Sequence, residues 1–228
     1  AWSGGGDRCI LKLARLGYAV DGRRVLIEDE KIHIKIKDSR TDPVSNQIAR
    51  QAHEAMTQYR VPPTNVITDC TGTQHGVPDV LQLNYGWYPM RCSFGGGASE
   101  RPISSFDPTP AREKYFNRVT EMWFRAADTM RYRGFYGLDD ETIAELGSRR
   151  FIMQGKKQMA ESKKEMKTRI GKSPDLADTT ILLDTIAREM YGFCPEANIP
   201  TPKRFDWGEE EEQGEAASEE TYDSEVML

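Results

Sequence analysis

Apolar and polar residues alternate strictly in "KIHIKIK" (31–37), the spacing of a strand with one buried and one wet face. The run begins at residue 24 and is interrupted near Asp29. A first apolar stretch, "RCILKLARL" (8–16), precedes it across the turn residues DGRR, so two antiparallel strands are expected. From 45 to 60 the period lengthens. Ile48, Ala52 and Met56 recur at helical spacing, predicting an amphipathic helix capped by Ser45 and ended by Pro62 and Pro63. "NVITDC" (65–70) is a short apolar strand that stops at Asp69, and a glycine-containing turn then leads to a helix and a strand at 88–94. A long helix over about 111–133 carries Tyr115, Val119, Met122, Trp123 and Ala126 on one stripe. Residues 139–147 read as a short helix, "RRFIMQGKKQMAES" as a hairpin turning at Gly155, and 162–170 as a basic helix.

The last periodic segment, "GKSPDLADTTILL" (171–183), predicts a buried helix that starts with two acids. Ser173 followed by Pro174 is a start signal, cap then first helical position. At roughly 100° per residue, Asp175 and Asp178 sit on one face, about 60° apart. An acid in a first turn complements the helix dipole, which accounts for one of them. Two like charges sharing a face cost energy unless solvent, cations or a metal relieve them.

Taken in order, these elements describe an α/β sheet, an antiparallel meander followed by parallel strands, flanked by helices. Sites in such sheets lie at the carboxyl ends of strands, where Asp69 falls.

Composition narrows the chemistry. The chain has 228 residues, 38% hydrophobic and 29% charged, with a net charge of −5. No apolar run is long enough to span a bilayer and no signal peptide is visible, so a soluble cytosolic protein is expected. Four scattered cysteines with no CxxC pair indicate neither zinc nor a disulfide framework. From Asp206 onward there are ten acids and no Lys or Arg, and this tail, 206–228, is expected to be disordered. Without those acids, residues 1–205 carry 31 basic and 26 acidic side chains, a net +5. Nine of the basic residues lie between positions 149 and 172: Arg149, Arg150, Lys156, Lys157, Lys163, Lys164, Lys167, Arg169 and Lys172. A solvated face is the ordinary reading of such a run; beside a carboxylate cluster, a phosphate-binding surface competes with it.

Two motifs fail. Gly171-Lys172-Ser173 looks like the end of a phosphate loop, but Met166 stands where its first glycine belongs. The histidines lack HExxH spacing, and His75, in the glycine turn after Asp69, is the only one near a candidate site, with an ordinary turn role as its alternative. Carboxylates without histidine or cysteine suit Mg²⁺ or Mn²⁺. A strand-end acid, helix-start acids and a basic surface fit two-metal phosphodiester hydrolysis.

Four segments, "SGGGDRCIL", "VITDCTGTQHGVPDVL", "YFNRVTEMWF" and "KTRIGKSPDLADTTILL", resemble the C-terminal nuclease domain of the large terminase subunit of tailed bacteriophages, over roughly residues 1–190 and in the right order. The resemblance implies an RNase H-like fold over residues 1–205. It also implies Asp69 and Asp175 as catalytic metal ligands, Asp178 as a nearby support, and two Mg²⁺ or Mn²⁺ ions. Asn117, Arg118 and Trp123 match motif residues of a packing helix and are expected to be structural. Implied too are the cutting of concatemeric viral DNA in the host cytoplasm at the procapsid portal, with the portal and the small terminase subunit as partners. In that family a further metal-binding aspartate ends a first strand just before the "SGGGD" turn. That strand and the motor ATPase half are expected to be missing here, leaving Asp7 as a possible neighbour of the site or simply a turn residue. A module that grips DNA or docks to the portal without cutting is the alternative.

Overall fold

The β-strand Ile10–Tyr18 (β1) pairs antiparallel with Arg24–His33 (β2) along its whole length. The register skips Asp29 opposite Leu13 and Ala14, a bulge where the sequence pattern breaks. The structure, a computed structural model, describes residues 8–71, 76–198 and the backbone of residues 224–227. β2 ends earlier than the alternation suggests. Beyond Ile34 the strand's ladder role passes to side chains: the Lys35 and Lys37 N–H groups donate to Gln51 and Gln47, at 3.1 and 2.7 Å. Both glutamines belong to the helix Val44–Gln58 (α1), which is preceded by Pro43 with no side-chain cap, not capped by Ser45 as expected.

The short strand Ile67–Asp69 (β3) is followed, after residues 72–75, by the helix Gly76–Tyr85 (α2) and the strand Met90–Cys92 (β4), parallel to β3. The long helix expected over 111–133 is two: Ala111–Lys114 (α3) and Arg118–Arg131 (α4). Between them the Phe116 N–H donates to the Gln158 carbonyl at 2.8 Å. Asn117 restarts the helix, its side chain accepting from the Thr120 N–H at 3.1 Å. A two-residue strand, Phe135–Tyr136 (β5), runs parallel to β2. The loop after β5 presses so closely on β2 that a Cβ at Gly137 (φ +74°) would meet the Glu28 carbonyl at 2.3 Å. Then come Asp140–Ser148 (α5), the hairpin Phe151–Gln154 (β6) and Lys157–Ala160 (β7), Lys163–Ile170 (α6) and Asp175–Tyr191 (α7). α6 starts with a full capping box from Ser162 and Glu165 and stops at Gly171 in the left-handed conformation.

α7 is buried nearly all round because it lies between layers. Ile181 and Leu182 pack on Met122, Trp123 and Ala126 of α4, while Leu183, Ile186 and Ala187 pack on Ala14, Leu16 and Leu26 of the sheet. On the opposite face, Leu13 packs on Ala49, Ala52 and Met56 of α1 and Leu81 of α2. Each large side chain so buried contributes about 1.5–3 kcal/mol.

The sheet is in two pieces: order β5-β2-β1-β8 and, separately, β3-β4. β8, residues Ser224–Met227, pairs antiparallel with Arg15, Leu16 and Gly17. In these four residues of the acidic tail a β-capable "SEVM" meets an open strand edge. The rest of the tail, up to residue 223, lies outside the described residues. Over Ile10–Ala14, β1 has no described partner on that side.

Candidate functional site

The unpaired edge of β1 faces β3 across a cavity of about 190 Å³, walled by α1 on one side and α7 on the other. Arg8 at the start of β1 and Asp69 at the end of β3 both line it, as do Asp175, Asp178 and Lys163. So the structure brings Asp69 and Asp175 to one cavity from positions over a hundred residues apart.

Each acid is held differently. Asp69 Oδ1 accepts the Thr71 N–H at 2.9 Å and its hydroxyl at 2.6 Å. Asp175 Oδ2 accepts the Arg8 backbone N–H at 2.8 Å. The start of α7 has no cap from its own chain neighbours, since Pro174, not Ser173, precedes the helix. Its first N–H groups are taken instead by fully buried Glu145 of α5, whose Oε2 accepts from Leu176 at 2.8 Å and Ala177 at 3.1 Å. That external cap answers for the helix dipole and leaves Asp175 and Asp178 free to face the cavity. Arg8 ties the two together, its guanidinium reaching Glu145 at 2.5 Å and Glu141 at 2.7 Å.

Asp178 is 5% exposed, and neither of its oxygens has a directed hydrogen bond. What faces it is positive charge: the Lys163 ammonium in close contact, and an Arg149 guanidinium nitrogen at 3.6 Å. Burial pushes the Asp178 carboxyl above the ordinary range even against those cations, and Asp175 adds to the rise. Burial pulls the Lys163 ammonium down, but the charges of Asp178, Asp69 and Asp175 outweigh it and leave its pKa raised. Arg149 stacks 4.9 Å over the Trp123 ring, and burial lowers its pKa.

Of the nine basic residues from 149 to 172, Arg149 and Lys163 thus belong to the acid cluster. Arg169 is bound to Glu161, and Lys172 lies 3.9 Å from Glu141. Arg150, Lys156 and Lys164 are exposed, with Lys157 and Lys167 half-buried. Asp7 and His75 lie outside the described residues. Arg118 pairs with Glu121 and Glu189, which agrees with a packing role. Sequence reasoning missed Arg8, Glu145 and the counter-ion role of Lys163.

Carboxylate oxygens suit a hard divalent cation, although at Asp178 such an ion would compete with the Lys163 ammonium. They are short in number: among the described residues no group of three or more His, Cys, Asp or Glu side chains is close enough to hold an ion. The four cysteines are free, and burial pushes Cys9, on the cavity wall, up to about 12. No helix among the described residues is long and apolar enough to cross a membrane.

No protein-family model matches the sequence, and no curated protein does. Solved structures do. The nuclease domain of the large terminase subunit gp2 of bacterial virus Sf6 is 13% identical, with 81% of this chain and 90% of that one covered and a TM-score of 0.53. A K428A mutant of it with manganese gives 13%, 72%, 84% and 0.52. The same mutant with manganese and beta-thujaplicinol gives 14%, 80%, 90% and 0.54. The chain has the RNase H-like fold of a terminase nuclease domain: a mixed α/β sheet flanked by helices.

Proposed function

We propose that this chain is the nuclease domain of a phage DNA-packaging terminase, hydrolysing phosphodiester bonds of concatemeric double-stranded DNA with two Mg²⁺ or Mn²⁺ ions. One observation carries the reading: Asp69 and Asp175, with Asp178, converge on one cavity in a fold whose solved neighbours include manganese-bound nuclease domains. The bound ions supply an activated water and a stabilised leaving oxygen. The chain's own residues do the rest. Thr71 and Arg8 fix the Asp69 and Asp175 carboxylates before any ligand arrives, which preorganises them. Lys163 and Arg149 neutralise the buried Asp178, and a bound ion would take over from Lys163 part of that carboxylate's pairing.

The portal and the small terminase subunit are the partners of this reading, and the host cytoplasm is its setting.

Nicking of supercoiled plasmid in Mn²⁺ tests it: wild type should nick, while Asp69→Asn and Asp175→Asn should not. A DNA-gripping or portal-docking module that does not cut is the second reading, favoured by the short ligand count and by the ammonium inside the cluster. DNA binding without Mn²⁺-dependent nicking would decide for it.

A further inference from the structure

β6 of the hairpin carries three consecutive exposed apolar residues, Phe151 (53%), Ile152 (54%) and Met153 (59%). Successive strand residues point to opposite faces, so both faces of β6 are open to solvent beyond Phe151, whose ring meets Phe124. The hairpin turns tightly at Gly155 (φ +61°) and Lys156, with Gln154 opposite Lys157. No acid occurs from residue 149 to 160, whereas Arg150, Lys156 and Lys157 flank the apolar stretch.

The root of the hairpin, by contrast, is fixed to the acid cluster. Arg149, just before β6, faces Asp178, and Lys163, three residues past β7, touches it. The Ala160 N–H donates to Thr120 of α4 at 2.9 Å, the Arg150 N–H donates to buried Glu161 at 2.8 Å, and Phe151 meets Phe124 edge-on at 5.2 Å. The root is rigid at the site, the strand beyond Phe151 is apolar and exposed, and the turn is basic, which is the build of a lever.

We propose that the hairpin is a wedge for duplex DNA. Ile152 enters the minor groove and parts a base step, Met153 bears on the groove from the other face of the strand, and Arg150, Lys156 and Lys157 hold the flanking phosphates. This rests on the nuclease reading and deepens it, since Arg149 and Lys163 at the hairpin's root meet Asp178, so a duplex held at the hairpin lies beside the cavity acids. Charge complementarity selects DNA over a protein surface as the occupant: Lys156 and Lys157 at the turn, with Arg150 beside Glu161 at the root, match a phosphate backbone, and the aliphatic side chains between them match a base step.

The test uses this chain in EDTA with a duplex carrying 2-aminopurine, whose fluorescence rises on unstacking. Wild type should raise the signal. Ile152→Thr with Met153→Thr, which keeps strand propensity, should abolish the rise and weaken binding about tenfold at every salt concentration, leaving the salt slope unchanged. Lys156→Gln with Lys157→Gln should lower the log–log salt slope by about two while retaining the rise at saturation. Matching circular dichroism and melting curves establish that the variants fold. The proposal is overturned if wild type leaves the signal flat or does not bind the duplex. It is also overturned if the threonine variant binds and unstacks like wild type, in which case the apolar edge faces a protein. No metal or cleavage enters the assay, so a chain that unstacks DNA yet never nicks it would refute the nuclease reading alone.

Discussion

Asp178 and Asp184 lie six residues apart on α7, and both are buried, at 5% and 1% exposure. Asp184 is fully answered: Oδ1 accepts the Thr129 hydroxyl at 2.7 Å, and Oδ2 accepts Arg188 Nε at 2.9 Å. Arg188 in turn meets Thr129 at 2.7 Å and Glu196 at 3.4 Å. Asp178 has neighbouring cations but no directed hydrogen bond, and it lines a cavity that Asp184 does not. Burial of a carboxylate is therefore no mark of function. What separates the two is the partner: a network of directed hydrogen bonds holds Asp184, whereas Asp178 meets cations at a cavity wall where a ligand can compete for it.

The comparison is broken most forcefully at Asp184. Asp184→Ala strands the buried Arg188 charge and should cost about 3–5 kcal/mol in urea unfolding. Asp178→Asn should cost far less, at most about 1 kcal/mol without metal. Its raised pKa means that ionisation is less favourable in the folded state, so a neutral side chain recovers part of the lost pairing. A loss at Asp178 as large as that at Asp184 would make both structural.

Glu145→Ala comes next, at about 1–2 kcal/mol, because the Leu176 and Ala177 N–H groups lose their acceptor and Arg8 its anchor. It should also blunt any Mn²⁺ stabilisation, since Arg8 positions Asp175. An unaltered Mn²⁺ response would confine Glu145 to capping.

Asp139 offers a pH-dependent contrast. It caps α5 through the Thr142 N–H and pairs with Lys31, and the Lys31 bond holds its carboxyl well below the ordinary range. A depressed carboxylate pKa contributes stability above its unfolded value, near 4, that is lost as pH falls through the folded value. Asp139→Ala should thus cost about 1 kcal/mol at pH 7. The difference from wild type should shrink in acid; one that is constant down to the acid limit would contradict this.

The smallest effect concerns the tail. Its ten acids outweigh the +5 of residues 1–205, so truncation after Arg204 should tighten DNA binding at low salt and lower melting only by the loss of the short β8 ladder on β1. Weaker binding would give the tail a partner instead.

Periodicity made the meander, α1 and α5 legible through one buried face each, and local start or stop signals did so for the hairpin and α7. The helix expected over 111–133 broke because Gln158, some forty residues on, takes the Phe116 N–H, a competition no local pattern shows. β5 is two residues long and exists only through β2. Around the acids, the strand end at Asp69 and the paired acids of α7 stand out by spacing. Arg8 and Glu145 do not, since their contacts span 133 to 167 residues and 31 to 137 residues respectively. Lys163 sat unremarked in a basic run because charge alone does not say which lysine a fold turns inward.

The central claim is that the cavity acids form a divalent-cation site while Asp184 does not. Melting curves in EDTA and in Mn²⁺ test it on wild type, Asp69→Asn, Asp175→Asn and Thr129→Val, the last altering the Asp184 network alone. Wild type and Thr129→Val should gain equally from Mn²⁺, about 1.4 kcal/mol at ten times Kd, and the two aspartate variants should gain little or nothing. Equal Mn²⁺ gains in all four proteins would remove Asp69 and Asp175 from any metal site and end the nuclease reading of this cavity.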